Sequence, residues 1–443
     1  MNDKLMTFIE SKILPIAGKI ASNRYLNAIR DGFVFAMPFL IIGSFILLIL
    51  NLPFTDKNNF LYMEWYTNLM NSFKADLVQP FYVSMGIMSL FVAYGIGYSL
   101  SGHYQLNSIT GGFLSLFSFL LVSAKVEYVP IAEAVAKSFL VDADSYIPVM
   151  DVRFMDAKGL FVAIIFGIIS IEIFRFLVHK KLIITLPESV PPAIAKSFEL
   201  LIPVAVVIVL FQTFNIIIQK KLIMMIPELV MKIFEPLLHV SDSLPSIIIL
   251  LLIIHILWFA GLHGTNIVDA IVKAITLSNL AINQAALQAG EAITKVWAGS
   301  FFDCYAFMGG VGTTLGLAIA MVRSKNEHIK SIGKISIVPA IFNINEPIMF
   351  GTPVVMNPVL MIPFIFVPII NASVAFILTK LNIIGHIVAS VPWTTPGPLG
   401  ALLATNFNFG SMILSLVLIF TSYLIYLPFL RAYEISLEKE NNK

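Results

Sequence analysis

The chain has 443 residues, of which 58% are hydrophobic and only 12% are charged. Soluble domains carry about 25% charged residues, so this composition argues against a soluble protein and indicates a polytopic membrane protein. The net charge of +2 comes without a basic tract, which gives no reason to expect a nucleic-acid partner. The single cysteine, Cys304, excludes an intramolecular disulfide.

Stretches of about 20 mostly apolar residues are long enough to cross a bilayer, and they recur along the chain. The candidate spans are Gly32–Leu52, Pro80–Leu100, Asn107–Ser123, Gly159–Val178, Phe198–Ile218, Leu244–Leu262, Ser300–Val322, Asn357–Thr379 and Ser411–Arg431. The first of them has full span length and no small-residue cleavage site after it, so it is expected to anchor the protein rather than to be a cleaved signal peptide.

The distribution of charges predicts a topology, because lysine and arginine favour the cytoplasmic side. The basic N-terminal segment and the basic cluster within 323–334 are expected inside, and the acidic loop 125–158 outside. For both basic segments to lie inside, an even number of crossings must separate them, and this requires one more crossing in 264–283. About ten transmembrane helices with both termini cytoplasmic follow, although Lys220 and Lys221 then fall outside, against the rule.

Two segments, 1–24 and 220–240, place apolar residues at helical spacing beside lysines and predict amphipathic interfacial helices. For the second, a linker helix packed on the protein remains open. The chain therefore divides into a transmembrane scaffold (1–219), an amphipathic connecting helix (220–243) and a C-terminal part (244–443) that holds the glycine, proline, histidine and glutamate irregularities.

The stretch FNINEPIMFGTP, residues 342–353, carries the main candidate site. Glu346 is the only Asp, Glu, Lys or Arg from Ile335 to Leu378. The proline that follows disfavours a helical conformation at Glu346, which predicts a re-entrant helical hairpin with Asn343, Asn345 and Glu346 at its tip. An ionisable residue at membrane depth is a candidate functional group. The alternative is a capping role for Glu346 at the turn.

A second irregular stretch is VPWTTPGPLG, residues 391–400. Three prolines and two glycines within ten residues exclude a regular span and predict a second hairpin. Trp393 supplies an aromatic face that stacks well on a sugar ring, and Thr394 and Thr395 supply hydroxyls. The alternative for Trp393 is a residue of the interfacial aromatic belt.

A third stretch, WFAGLHGTNIVD, begins at Trp258. His263 lies between Gly261 and Gly264, small residues that allow a ligand to approach closely. His255, eight residues earlier, is instead expected to be hydrogen-bonded to a neighbouring helix.

Asp303 is a further isolated acid. It is either a coupling-ion or substrate group or a partner of Lys273 or Lys295, and the sequence leaves both readings open. Cys304 is expected to pack as a small apolar residue, because nothing near it in sequence activates the thiol. No HExxH, Walker or GxSxG motif is present, so no metal and no cofactor are expected, and transport energy must come from an ion gradient or a partner.

These three stretches, extended to FNINEPIMFGTPVVMNP and joined by the opening LPIAGKIASNRYLNAIRDGFVFAMPFLIIGS, resemble the membrane-spanning enzyme IIC of the bacterial phosphoenolpyruvate-dependent sugar phosphotransferase system, in its lactose/cellobiose/diacetylchitobiose branch. The resemblance implies an all-α polytopic fold of ten spans with two re-entrant hairpins in the bacterial cytoplasmic membrane. It also implies a homodimer whose interface lies in the first domain, 1–219, and a sugar site in 244–443.

For the site, the resemblance implies that Glu346 binds sugar hydroxyls, that His263 lies near the reactive 6-hydroxyl as the catalytic candidate, and that Trp393 lines the pocket. The other substrate-binding candidates are Asn343, Asn345, Gly264, Thr394 and Thr395. The sugar is expected to be a β-linked disaccharide, with cellobiose, diacetylchitobiose and lactose all open. His263 is either a general base or a group that positions the hydroxyl.

In the family the phosphoryl donor is a phosphocysteine on enzyme IIB, supplied by enzyme IIA upstream. Both are expected as separate chains, so this chain would be the membrane subunit of a phosphotransferase and carry no phosphoryl group itself. Two rival functions remain. One is an ion-coupled secondary sugar transporter using Glu346 or Asp303; the other is an intramembrane enzyme with Glu346 and His263 as acid and base, or with His255 and His263 on a metal.

Overall fold

A computed structural model describes the chain except for residues 1–10, 12–13, 56, 58–60, 131–145, 188, 192–193, 195–197, 353, 355–356 and 442–443. The first part of the predicted N-terminal amphipathic segment and the centre of loop 125–158 therefore lie outside the described residues. So do Pro353, Val355 and Met356 of the Asn-Glu-Pro stretch.

The described residues are mostly helical. The first helices are α1 (Leu14–Ala21), α2 (Arg24–Leu50), α3 (Glu64–Leu77), α4 (Gln79–Tyr82), α5 (Met88–His103), α6 (Ser108–Ser123), α7 (Leu160–His179), α8 (Leu201–Leu222) and α9 (Ile226–Ser241). The later helices are α10 (Leu244–Phe259), α11 (Gly264–Ala289), α12 (Phe301–Tyr305), α13 (Leu315–Val322), α14 (Glu327–Ile341), α15 (Glu346–Gly351), α16 (Pro358–Lys380), α17 (Gly397–Ala404) and α18 (Phe409–Asn441). Short 3₁₀ turns, Met85–Ile87 and Ala157–Gly159, lead into α5 and α7.

Several of these helices are long and apolar enough to cross a membrane. Within the described residues seven qualify: Arg24–Leu50, Gln79–His103, Ala157–His179, Leu201–Leu222, Gly264–Ala289, Pro358–Lys380 and Phe409–Leu437. Two shorter helices, α6 and α10, are also apolar. The all-α polytopic fold is thereby confirmed, whereas the number of about ten crossings and the two re-entrant hairpins stay predictions.

One predicted span is wrong. Residues 300–322 do not form a single helix, because α12 ends at Tyr305 and α13 begins only at Leu315. Between them Gly309, Gly310 and Gly312 have φ angles of 85°, 92° and 88°. These values lie in the left-handed region, which glycine adopts readily and which is incompatible with a right-handed helix.

The structure adds a β-hairpin that the sequence analysis did not predict. Strand β1 (Val126–Pro130) pairs antiparallel with β2 (Tyr146–Met150), with Val126 opposite Met150. Beyond β2 the Arg153 guanidinium lies 2.7 Å from the Asp151 carboxylate and lowers the pKa of that carboxyl through this hydrogen bond.

The chain divides into two compact units. The smaller unit comprises Arg24–Pro38 and Ser84–Pro236, and its helices pack closely through small residues. A Cβ added at Gly97 would lie 2.4 Å from Ser115 Cβ, so α5 and α6 approach at a distance that only a glycine allows. Near the end of α7, Glu172 and Arg175 form an ion pair, at 3.1 Å.

The larger unit comprises the described parts of Met1–Asn23, Phe39–Val83 and Leu237–Lys443. Its core is a cluster of buried apolar side chains from α10, α13, α14, α15, α16 and α18, together with Val311 from the loop between α12 and α13 and Val354 after α15. Helix α18 runs along this core, with Ser415, Ser422 and Tyr426 buried. All candidate site residues belong to this unit.

Candidate functional site

The first candidate turn separates α14 from α15. Asn343 has a φ of 63°, a left-handed conformation that asparagine tolerates better than most residues. Pro347 occupies the first turn of α15, where a missing backbone N–H costs nothing. The Asn-Glu-Pro sequence therefore ends one helix and starts another, and Glu346 is the first residue of α15 rather than non-helical as predicted.

Asn343 joins this turn to the second candidate turn. Its buried side-chain Nδ2 donates to the backbone oxygens of Trp393 at 2.7 Å and Thr395 at 3.0 Å. Its Oδ1 accepts from the backbone N–H of Gly309 at 2.9 Å. Two regions some 50 residues apart in sequence are thus joined by hydrogen bonds to one amide side chain.

Residues 309–313, here called the glycine loop, form the support behind both turns. Asn345 Nδ2 donates to the Val311 carbonyl at 2.8 Å, and a Cβ added at Gly310 would lie 2.5 Å from Asn345 Cγ. Tyr426 donates its hydroxyl to the Gly312 carbonyl at 2.7 Å. The sequence analysis missed this loop, although its signal, three glycines within four residues of an apolar run, is visible in the sequence.

His255 is held between α10 and the glycine loop; it is hydrogen-bonded, but to its own helix and to this loop rather than to a neighbouring helix as predicted. Its side chain is fully buried. Nδ1 lies 2.6 Å from the Leu251 carbonyl, which can only accept, and Nε2 accepts from Gly312 N–H at 3.1 Å. These two bonds fix a neutral imidazole with its proton on Nδ1.

Glu346 differs from its asparagine neighbours. Its side chain is exposed, and within the part of the chain that the structure describes its carboxylate makes no hydrogen bond and no ion pair. The N-cap position of α15 is taken by Asn345, whose side chain makes no capping bond. The carboxylate at the start of α15 gains from the helix dipole and can accept hydrogen bonds from a ligand.

The second turn presents Trp393, with 51% of its side chain exposed. Thr394 and Thr395 are half-buried, and a backbone hydrogen bond from Thr395 N–H to the Pro392 carbonyl closes the turn at 2.9 Å. The hydrogen bond from Asn343 holds the backbone at Trp393. The half-exposed indole therefore offers a surface for stacking at a defined position.

His263 is the N-cap residue of α11. Its Nδ1 accepts from Asn266 N–H at 3.3 Å and lies 2.9 Å from the Thr265 hydroxyl, while its ring lies 4.4 Å from that of Trp258 between centroids. An Nδ1 that accepts carries no proton, so the neutral imidazole holds its proton on Nε2. The structure thus places His263 in the tautomer opposite to that of His255.

The two glycines beside His263 have structural reasons of their own. Gly261 has a φ of 81°, which ends α10 with a turn that glycine favours. Gly264 is buried, and a Cβ there would lie 2.2 Å from the Ile254 carbonyl oxygen. Close packing of α11 on α10 therefore requires Gly264, and its predicted contact with substrate stays a prediction.

Asp303 lies half-buried in α12. Across the described residues, no ion pair within 4 Å joins it to Lys273 or Lys295. Cys304 beside it is free and fully buried, as expected for a small apolar packing residue. The described residues contain no group of three or more His, Cys, Asp or Glu side chains arranged to hold a metal ion.

Residues 30–368 match the family model "Phosphotransferase system, EIIC". The chain belongs to this family. This EIIC chain is 35% identical over 444 residues to the lichenan permease IIC component of Bacillus subtilis (strain 168), covering 99% of this chain and 96% of the relative. It is 36% identical over 439 residues to the cellobiose-specific EIIC component of Geobacillus stearothermophilus, covering 98% and 95%.

A solved structure of similar sequence extends the comparison. The EIIC chain superposes on the transporter ChbC, the IIC component from the N,N'-diacetylchitobiose-specific phosphotransferase system, with a TM-score of 0.87 and 37% identity. The match covers 98% of this chain and 99% of that one. The resemblance inferred from the three motifs is therefore confirmed at the level of family and fold.

A further relative shows how EIIC chains are joined to other units. The lactose-specific EIICB component of Staphylococcus haemolyticus (strain JCSC1435) is 34% identical, and the match covers all of this EIIC chain but only 73% of the relative. By its name, that protein carries an EIIB unit fused to its EIIC part.

Proposed function

We propose that this EIIC chain is a multi-pass sugar permease of the cytoplasmic membrane that takes up a β-linked disaccharide such as cellobiose or diacetylchitobiose. The family and the substrates named for its relatives, lichenan, cellobiose and N,N'-diacetylchitobiose, support this class. The protein acts as a homodimer with both termini cytoplasmic, its interface in residues 1–219, its transport domain in 244–443, and 220–243 connecting them.

One observation carries the proposed site: the two turns are joined through Asn343 while the Glu346 carboxylate beside them stays open. A neutral sugar offers many hydroxyl donors, and a carboxylate accepts two or more of them in charge-assisted bonds. Trp393 stacks on the apolar face of a ring. Asn343 and Asn345 contribute mainly by fixing the turn, because their amide nitrogens already donate to backbone carbonyls.

The chemical step transfers a phosphoryl group from a phosphocysteine of the EIIB unit to the sugar 6-hydroxyl. The sugar oxygen bonds to phosphorus, the sulfur–phosphorus bond breaks with the thiolate leaving, and the hydroxyl proton must pass to an acceptor. His263 holds its proton on Nε2 because Nδ1 caps α11, so it meets the sugar as a hydrogen-bond donor that positions the 6-oxygen. Glu346 is the proton acceptor of the set. Once the Glu346 carboxyl has released this proton to water, the phosphate charge on the sugar repels the carboxylate and prevents return across the bilayer.

The test is a binding screen of the purified chain, followed by reconstitution with phosphorylated EIIB and, as its donor, EIIA. Cellobiose and diacetylchitobiose should bind, and maltose, the α-linked counterpart of cellobiose, should not. Sugar phosphate should then form only when phosphorylated EIIB is present. Uptake that collapses with an uncoupler but proceeds without EIIB would contradict the proposal and favour an ion-coupled transporter.

A further inference from the structure

The larger unit contains a cavity, here called the outer cleft, with a volume of about 880 Å³. Its walls come from three segments: 287–296 at and after the end of α11, 380–388 at and after the end of α16, and 405–409 up to the start of α18. Pro53 and Leu61 lie at one side. None of the candidate site residues named above lines it. Its size is typical of a small-molecule site.

The outer cleft lies at one end of the larger unit. Asn406, in its wall, donates to the backbone oxygen of Asn51, just after the end of α2, at 2.9 Å. From Ser411 to Tyr426, which binds the glycine loop, α18 rises about 22 Å. The cleft is therefore separate from the candidate site. With the N-terminus inside, as proposed above, α2 runs outward. The cleft, which lies beside the end of α2, then opens on the outer side.

The polar groups of the outer cleft suit a neutral, hydroxyl-rich ligand. Besides His386, its wall has one acid and one base, Glu291 and Lys380, whose charges cancel, so neither a cation nor an anion is favoured. Amides and hydroxyls make up most of the remaining polar wall. For the residues that the structure describes, the amide nitrogens of Asn382 and Asn408 and the Thr294 hydroxyl make no hydrogen bond to protein, and Phe407 and Phe409 add apolar ring surface.

The backbone of the wall is strained in a way that is typical of ligand sites. Asn382, Asn406 and Phe407 have φ angles of 56°, 55° and 60°. Left-handed backbone is uncommon outside glycine, most of all in a bulky residue such as Phe407, and persists where surrounding structure holds it. Here two of the three strained residues are consecutive and lie in the short connection between α17 and α18.

The outer cleft and the candidate site share one structural element, the second turn and its flanking segments. His386, held by a hydrogen bond from Nδ1 to the Lys295 carbonyl at 3.0 Å, lies in the cleft wall. From there the chain runs to Trp393 and returns through α17. Val388 N–H donates to the Ala404 carbonyl at 2.8 Å and ties the two arms at their base.

From this arrangement we infer that the outer cleft is a second carbohydrate-binding site, at which a neutral saccharide is held on the outer side before it reaches the site at Glu346. Hydroxyl acceptors and donors come from Glu291, Asn382 and Asn408, and a sugar ring packs on Phe407. The inference rests on the proposed function, because it assigns the same class of ligand to a second place.

The single cysteine makes a direct test possible. Cys304 is fully buried, so in a Thr294→Cys variant a maleimide reacts at the new thiol, which lies at an exposed position of the cleft wall. Cellobiose at ten times its Kd for the outer cleft should slow labelling of T294C about tenfold, because the cleft is then unoccupied in about one molecule in eleven. A matched control is Tyr128→Cys, at a position that is 72% exposed on the β-hairpin, where cellobiose should change nothing.

The same measurement in a Glu346→Gln background separates the two sites. Protection that persists in T294C/E346Q supports an independent outer cleft. Protection that disappears there shows that the sugar acts through the site at Glu346. Slowing at Tyr128→Cys as well shows that the effect of the sugar is not confined to the cleft. Either result overturns the inference. If cellobiose binds the full chain but leaves T294C labelling unchanged, the inference fails while the proposed function stands; if no disaccharide binds, the proposed substrate class fails.

Discussion

The candidate site has two parts that differ in burial. One is a buried framework made of the glycine loop, Asn343, Asn345, His255 and Tyr426, in which the side chains hold backbone groups at 2.6–3.1 Å. The other is an open face made of Glu346, His263 and Trp393, whose side chains are exposed.

The difference teaches which polar residues of a membrane site serve the fold and which serve the ligand. A buried donor or acceptor without a partner costs about 1–3 kcal/mol, so buried amides are expected to be satisfied within the protein. Substitutions in the framework should therefore lower the stability of the protein. Substitutions on the open face should lower sugar binding or transfer and leave the melting temperature unchanged.

The largest effect on stability is expected for Gly312→Ala in the framework. An added Cβ would lie 2.3 Å from Phe364 Cδ2, and φ at this position is 88°. Strain and overpacking together should destabilise the protein by about 2–5 kcal/mol, measured as thermal unfolding in detergent. Gly18→Ala is the matched control, because nothing lies within 4 Å of a Cβ there; an equal loss in both variants would contradict the role of the loop.

His255→Leu should come next. Leucine cannot accept from Gly312 N–H, and the orphaned donor should cost about 1–3 kcal/mol. The melting temperature should fall, and sugar affinity per folded protein should change little. His328→Leu, at an exposed position of α14, should change stability by less than about 0.5 kcal/mol. If H255L unfolds like the wild type but loses sugar binding, His255 belongs to the open face instead.

His263 tests the open face in the transfer reaction. His263→Ala should slow phosphoryl transfer from EIIB about tenfold, the loss of about one hydrogen bond, with the folded yield retained. His263→Asn should recover part of that rate, because asparagine is a good N-cap and also carries an amide donor. A positioning role predicts this ranking. Equal, much larger losses in both variants would show that the imidazole acts as a base.

The smallest effect is expected for Tyr426→Phe. It removes one buried hydrogen bond, to the Gly312 carbonyl, and should cost about 1 kcal/mol. Tyr128→Phe, on the exposed hairpin, should have no measurable effect on unfolding. A neutral result for Y426F would show that this bond does not help to hold the glycine loop.

The residues of the open face were within reach of sequence reasoning, whereas the long-range partners that hold the framework were not. Glu346, Trp393 and His263 stand out because each breaks the apolar or helical pattern around it. The glycine loop and His255 act through a contact across 57 residues, from Gly312 N–H to His255 Nε2. Local pattern does not encode such partners, and hydropathy alone therefore joined 300–322 into one span.

Gly264 also shows what the sequence alone does not predict. Its position beside His263 suggested room for a ligand, but its close contact with Ile254 explains the glycine by helix packing. A glycine in a sequence reports only that something approaches closely. Whether that neighbour is a helix or a sugar depends on the tertiary structure.

The most direct test of the account is the sugar affinity and melting temperature of Glu346→Gln, compared with Glu327→Gln, an exposed glutamate that also begins a helix, α14. Charge-assisted bonds are worth about 1.5–3 kcal/mol, so cellobiose affinity of E346Q should fall at least about tenfold with an unchanged melting temperature, and E327Q should match the wild type in both. Wild-type affinity in E346Q would contradict the claim that this carboxylate binds the sugar.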